Sequence, residues 1–357
     1  MTADDRPRAR EIGVVVGTLP TGPLNSITDV GGVRVGHVTL HQGTDVHTGV
    51  TVVMPHDGNL YDDKVPAGLA VGNGYGKLMG ATQIAELGEI ETPIALTNTL
   101  SVPGVAAGVI DWTLGRPGNG GVVSVNAVVG ETNDAYLNDI RRRVVRAEHV
   151  HAAINAASAG VVDEGGVGAG AGTMAFGWKG GIGSSSRVAS AGGSDYTVGI
   201  LAQVNYGGDL HILGVPVGRR LKAARSVKHA NVTDGDGSVM IVIATDAPLS
   251  DRNLARLGRR AFLALGRTGS VMTNGSGDYA IAFSTSMSAR RTPARRAGVS
   301  TSAELPNELV SPLFQATVEA TEEAVYNALF KATTTHGYRG VAEALPLDRV
   351  GPMLERS

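Results

Sequence analysis

Fifty of the 357 residues are glycine, and no repeat period organises them. Without a period, neither a collagen triple helix nor a stacked solenoid can use them. Glycine costs backbone entropy on folding, but it reaches positive φ and lets two backbones approach closely. Here the glycines cluster at turns between short apolar runs, which predicts many strands, tight turns and pockets built from main chain. Hydrophobic residues make up 42% of the chain and charged residues 18%, enough apolar surface for a substantial core.

The apolar runs at 49–53 (GVTVV), 93–97 (PIALT), 121–129 (GVVSVNAVV), 196–204 (YTVGILAQV), 238–244 (SVMIVIA) and 279–283 (YAIAF) read as strands. A helix is predicted over 250–265, where Leu254, Leu257, Ala261 and Leu265 recur at helical spacing behind Ser250 and Asp251 as caps. A second is predicted over 308–334, with Pro306 and Pro312 near its start. No linker divides the chain. The region 218–237 comes nearest, basic and Ala-rich at first and then Asn-Val-Thr-Asp-Gly-Asp-Gly, a composition of exposed loops. Strands on both sides of it, with helices between, predict a layered α/β sandwich over 1–357.

Several function classes drop out on composition. A formal net charge of −2 argues against a nucleic-acid or anionic-membrane partner. No stretch approaches the roughly 20 apolar residues of a membrane span, and the charged start 1–12 lacks the apolar run of a signal peptide. A cytoplasmic protein is expected. The absence of cysteine removes disulfides, thiol nucleophiles and sulfur metal sites. There is no HExxH, no GxxxxGK[ST] and no GxSxG. His149 and His151 read as a helix surface rather than a metal pair. The glycine run 166–171 lacks the preceding strand that a dinucleotide loop needs. The clusters Arg141–Arg143 and Arg290–Arg296 read as surface or subunit contacts. No metal and no organic cofactor is expected.

The informative segment is 236–246 (DGSVMIVIATD), where an acidic loop runs into a serine at the head of an apolar strand. Gly237 leaves no Cβ to block attack on its carbonyl, so the Ser238 hydroxyl can attack it, and hydrolysis of the resulting ester splits the chain. The freed α-amine has a pKa of about 7.7 to 8 and can then serve as the base that activates its own hydroxyl. Such an enzyme needs neither cysteine nor a catalytic histidine. On spacing alone, Gly-Ser before a strand more often just begins the strand.

Ordered motifs add weight. They are 25–37 (NSITDVGGVRVGH), 48–51 (TGVT), 72–77 (GNGYGK), 97–99 (TNT), 130–134 (GETND), 176–183 (FGWKGGIG) and 203–207 (QVNYG), then Gly237-Ser238 leading into 241–249 (IVIATDAPL), and 275–278 (GSGD). In this set and order the chain resembles the DmpA/BapA-type self-cleaving aminopeptidases, which include L-aminopeptidase/D-amidase-esterases and β-aminopeptidases. The resemblance implies a four-layer αββα sandwich like the N-terminal-nucleophile hydrolases but differently connected, and cleavage into 1–237 and 238–357. It implies Ser238 as nucleophile, Ser276 and Asp278 beside its amine, and Asn205 as the side-chain donor to the oxyanion. Asp278 stands where members carry glutamate. Tyr136 is implied near the catalytic centre, and Glu131 as the group that binds the substrate's free amine. Asn73 and Lys179 fall in the pattern without an assigned role. Implied too are a peptide or aminoacyl amide or ester substrate, hydrolysed through an acyl-enzyme, and a homotetramer of cleaved heterodimers. Two other readings stay open: acyl transfer of the ornithine acetyltransferase type, where threonine stands at the cleavage point, and an uncleaved binding protein.

Overall fold

The computed structural model describes residues 6–223 and 237–354. The acidic loop expected before Ser238 falls at 224–236, outside the described residues, as do the first five residues of the charged start.

Two sheets carry the fold. One is made of β1 (Arg34–Gln42), β2 (Val46–Met54), β5 (Ile94–Asn98) and β6 (Val128–Thr132), in that order. The other runs β4 (Glu89–Ile90), β3 (Val65–Gly74), β12 (Gly277–Ser284), β11 (Ser238–Thr245), β10 (Ser194–Asn205), β9 (Gly181–Ala191). Two small hairpins complete the set, β7 (Met174–Ala175) with β8 (Trp178–Lys179), and β13 (Thr335–Gly337) with β14 (Gly340–Ala342). Helices α2 (Val102–Leu114) and α3 (Ala147–Asn155) cover the outer face of the first sheet; α5 (Asp251–Thr268) and α7 (Ser311–Lys331) cover that of the second. The helices α1 (Ala81–Leu87), α4 (Val217–Ala223), α6 (Pro293–Arg296) and α8 (Leu347–Leu354) are shorter.

Period-two alternation builds the layers. Met240 and Val242 of β11 meet Ile94, Leu96 and Val128 in a core between the sheets. Val239, Ile241 and Ile243, on the other face, pack under Leu257 and Ala261 of α5 and Ala324 of α7. Val52, Ala95 and Val129 pack under Val105 and Val109 of α2 and Val150 of α3. The stack is therefore α, β, β, α, with the central strands of the second sheet buried on both faces, as continuous apolar runs require. The helices sit unusually close. A Cβ on Gly183 of β9 would fall 1.9 Å from the Ala324 carbonyl of α7, and one on Gly68 of β3 would fall 2.2 Å from the Ala255 nitrogen of α5.

Five of the six strands and both helices read from the sequence appear. The run 121–129 does not: β6 begins only at Val128, and Val123 is 98% exposed. Apolar residues with no neighbouring strand have nothing to pair with, so the run is strand-like in composition alone. Strand β9 is missing from the sequence reading because Ser184, Ser185, Ser186 and Arg187 are all fully buried in it. Arg187 donates to Glu323 at 2.6 Å and to the carbonyls of Ser186 and Val16, so its charge is paired rather than solvated. His149 and His151 serve as hydrogen-bonding groups, His149 accepting from the Arg146 N–H and His151 meeting the Gly108 carbonyl. The arginines of 290–296 are occupied by their own chain: Arg295 donates to the Met287 and Arg290 carbonyls, Arg296 to those of Arg291 and Asp62.

Candidate active site

Ser238 is the first residue of β11, between β10 and β12. It pairs with Asn205 across the antiparallel ladder and with Gly277 across the parallel one. Directly opposed residues share a face with Cβ atoms about 5 Å apart, so the Asn205 amide and the Ser238 hydroxyl lie side by side. Both side chains are buried, and both face the first sheet, as Met240 and Gln203 do. The Ser238 Oγ accepts the Gly277 N–H at 3.1 Å.

The Asn205 side chain has a fixed orientation. Its Oδ1 accepts the Met174 N–H at 2.9 Å, which leaves the NH2 end to meet an incoming oxygen. Two residues earlier on the same face, Gln203 Nε2 meets the Thr97 carbonyl, the Ala169 carbonyl and Thr132 Oγ1 at 2.9 to 3.0 Å. That amide ties the two sheets together beneath the site.

Ser276 and Asp278 flank Gly277. The Ser276 hydroxyl lies 2.5 Å from an Asp278 carboxylate oxygen and 2.7 Å from the Thr273 carbonyl. Asp278 pairs with Val239 and accepts its N–H. Burial pushes the Asp278 carboxyl up to about 6, against the pull of the Ser276 hydroxyl and the Val239 amide. By alternation Asp278 lies on the helix side of the sheet, opposite to Ser238. A cavity of about 380 Å³ opens on that side, lined by Tyr206, Gly208, Val271, Met272, Ser276 and Asp278 among others.

Glu131, at the end of β6, is 2% exposed. One carboxylate oxygen accepts the Lys77 N–H at 2.9 Å and the other the Thr99 hydroxyl. It thereby holds the loop carrying Gly76, which rests directly on Gly277: a Cβ on Gly277 would fall 2.5 Å from Gly76 Cα. Asn73 binds the same turn from the other end, donating to the Ser276 and Asn274 carbonyls. Glu131 is therefore joined to the serine's immediate neighbour through one loop. Tyr136 lies against the β13–β14 hairpin, with the Arg339 N–H on its carbonyl and its hydroxyl 2.4 Å from where a Gly340 Cβ would be. Those contacts tie it to the hairpin.

Gly237 lies in a tight place. A Cβ there would come 2.4 Å from Tyr206 Cα and 2.5 Å from the Asn205 carbonyl oxygen. The residue before Ser238 thus has room only as glycine, a packing requirement additional to the open carbonyl that the sequence reading expects there. Sequence reading missed the Met174 N–H, because a main-chain donor carries no residue identity. It also missed Gln203, which stood in the QVNYG motif.

The family model described as peptidase family S58 matches residues 25–343. The β-peptidyl aminopeptidase BapA of Sphingosinicella xenopeptidilytica is 42% identical over 352 residues, spanning 93% of this chain and 86% of that protein. A Burkholderia sp. β-aminopeptidase structure superposes with a TM-score of 0.90 at 39% identity, covering 98% of this chain and 99% of the other. The L-aminopeptidase D-Ala-esterase/amidase of Ochrobactrum anthropi, described as a prototype for the serine aminopeptidases and a variant of the Ntn hydrolase fold, superposes at 0.91 with 33% identity and the same coverage. With the sandwich and the paired Ser238 and Asn205 already in place, the matched span makes this chain a member of peptidase family S58, a hydrolase of the serine aminopeptidase kind on an N-terminal-nucleophile fold.

Proposed function

We propose that this chain cuts its own Gly237–Ser238 bond and then removes N-terminal aminoacyl residues from short peptides, amides or esters. In the first reaction Ser238 Oγ attacks the Gly237 carbonyl carbon, and the C–N bond breaks as the acyl group moves to oxygen. Water then hydrolyses that ester, leaving a Gly237 carboxylate and a free Ser238 amine and hydroxyl. In turnover the amine takes the hydroxyl proton, Oγ attacks the substrate carbonyl, and the proton passes to the departing amine. Water releases the acyl group in a second round of the same steps. Asn205 donates to the oxyanion, a contribution typically worth about 10²–10³ in rate. Ser276 and Asp278 hold the Ser238 amine, and Glu131 receives the substrate's ammonium. Tyr136 completes the group by donating to the substrate oxygen.

The observation that carries this reading is the pairing of Asn205, Ser238 and Gly277 in neighbouring strands, with Asp278 bound to the amide next to the nucleophile. The names of the relatives make β-aminoacyl substrates the class to try first, before L- and D-α-aminoacyl ones. A cytoplasmic tetramer of cleaved heterodimers belongs to the same proposal, supported by the sequence resemblance.

The test is intact-mass spectrometry of the wild type beside Ser238→Ala, followed by a panel of β-, L- and D-aminoacyl anilides. Wild type should give fragments 1–237 and 238–357 and turn over at least one substrate, while the variant stays whole and inactive. A folded wild type that never splits would remove the base from the mechanism and leave a binding protein.

A further inference from the structure

Lys179 is completely buried, yet it belongs to none of the groups assigned above. A buried ammonium is costly unless hydrogen bonds replace its water. Its Nζ donates to the Gly170 and Gly180 carbonyls, both at 2.9 Å. Those two carbonyls stand before and after the β7–β8 hairpin, so one ammonium closes the hairpin's base. The Gly180 N–H to the Thr173 carbonyl, and the Thr173 hydroxyl to the Gly170 carbonyl, lock the same ring. Within that ring Met174 pairs with Lys179 itself, and the Met174 N–H is the donor that orients the Asn205 amide. The next contact is of the same kind, Phe176 N–H to the Tyr206 carbonyl at 2.8 Å. The hairpin is therefore docked on Asn205, the last residue of β10, and on Tyr206 just after it, and Lys179 lies at its root.

We propose that Lys179 is a positioning residue for the oxyanion donor: it holds the hairpin so that the Met174 N–H fixes which end of the Asn205 amide faces Ser238. The inference rests on the reading of Asn205 given above. Loss of the ammonium would let Gly170 and Gly180 separate and free Met174, and the Asn205 amide could then present its oxygen, which repels a developing alkoxide. The charge of Asp134 favours the Lys179 ammonium, while burial lowers that ammonium to about 7 and raises the Asp134 carboxyl to about 7.

The test is a double-mutant cycle on the whole chain with Lys179→Met, Asn205→Ala and the pair, read as half-time of self-cleavage and as kcat and KM of the cleaved enzyme. Lys179→Met should lower kcat about 10- to 100-fold, the range for losing much of one oxyanion donor, with KM little changed. In the Asn205→Ala background it should cost almost nothing further, because the step it supports is already gone. Independent, multiplicative losses would overturn the proposal, as would a Lys179→Met enzyme with normal kcat. Should Lys179→Met not fold, Lys179→Gln, which keeps a donor, is read in its place; failure of both to fold would mark Lys179 as a folding requirement alone and overturn the proposal. A fully active Asn205→Ala would instead refute the reading of Asn205, and an uncleaved, inactive wild type the reading of the site.

Discussion

Gly277 donates its backbone N–H to the Ser238 hydroxyl oxygen, 3.1 Å away across a parallel strand pair. The bond uses one lone pair of the Ser238 hydroxyl oxygen and holds that oxygen in place. Its donor is a residue with no side chain, and the loop through Gly76 depends on the same absence.

Gly277→Ala therefore tests more than packing. Its Cβ would meet Gly76 Cα at 2.5 Å and Gly76 N at 2.7 Å, both backbone atoms that a rotamer change cannot relieve. Forced overpacking of this kind costs about 1–3 kcal/mol. The variant should unfold at lower urea and cleave itself at least about tenfold more slowly. Mass spectrometry over time reads the second effect; an unaltered rate would detach the glycine from the chemistry.

Asp278 predicts a stability effect with a definite sign. Its folded carboxyl is raised from 3.8 to about 6, so the native state holds the proton more tightly than the unfolded chain does. Stability is therefore lost as pH rises from about 4 through 6, and the penalty is complete above that. In a Ser238→Ala background, where no new amine forms, Asp278→Asn should be the more stable protein at pH 7 to 8, by on the order of 2 kcal/mol. The two should converge near pH 4. Urea titrations across that range measure the difference, and a difference independent of pH would contradict the assignment.

Glu131 should matter to substrates that carry a free amine. A charge-assisted hydrogen bond is worth roughly 1.5–3 kcal/mol, so Glu131→Gln should lower kcat/KM by about 10- to 100-fold for aminoacyl anilides. A matched acyl ester without the amine should be nearly unaffected. Equal losses on both substrates would assign Glu131 to holding the Gly76 loop, through its bonds to Lys77 and Thr99.

Arg187 offers a prediction remote from the serine. It is fully buried, 2.6 Å from Glu323 and 3.3 Å from Glu319 on α7, and Arg10 pairs with Glu323 from the N-terminal arm. Removing one member of a buried pair costs about 3–5 kcal/mol, because the remaining charge stays buried. Arg187→Ala should lose that much in equilibrium unfolding. Arg10→Ala, from a half-buried position, should lose less.

The sequence by itself marked Ser238 as the candidate nucleophile, because the proposed chemistry is local: a glycine, a hydroxyl and the amine that cleavage would expose are consecutive in one chain. The ordered motifs of the resemblance, rather than the Gly-Ser spacing, gave that reading its weight. The sequence also determined β2, β5, β10, β11 and β12 and the helices α5 and α7 over the second sheet, because runs such as 238–244 and the spacing of Leu254, Leu257 and Ala261 state their own burial. Strands β1 and β3 and the helices α2 and α3 over the first sheet were not read from it. The resemblance named Asn205, Ser276 and Asp278, yet the sequence alone could not say what each touches. Only the tertiary structure decided that Asn205 stands opposite Ser238, since register follows from pairing and a one-residue slip turns every side chain to the other face. It alone showed β9 as a strand, where buried serines and Arg187 erase the apolar alternation that reading relies on. It alone set Tyr136 against a hairpin and gave Lys179 two carbonyls to hold. Hydrogen bonds from main chain, such as those of Met174 and Gly277, depend on where the backbone passes and not on which residue passes there, so no pattern of letters announces them.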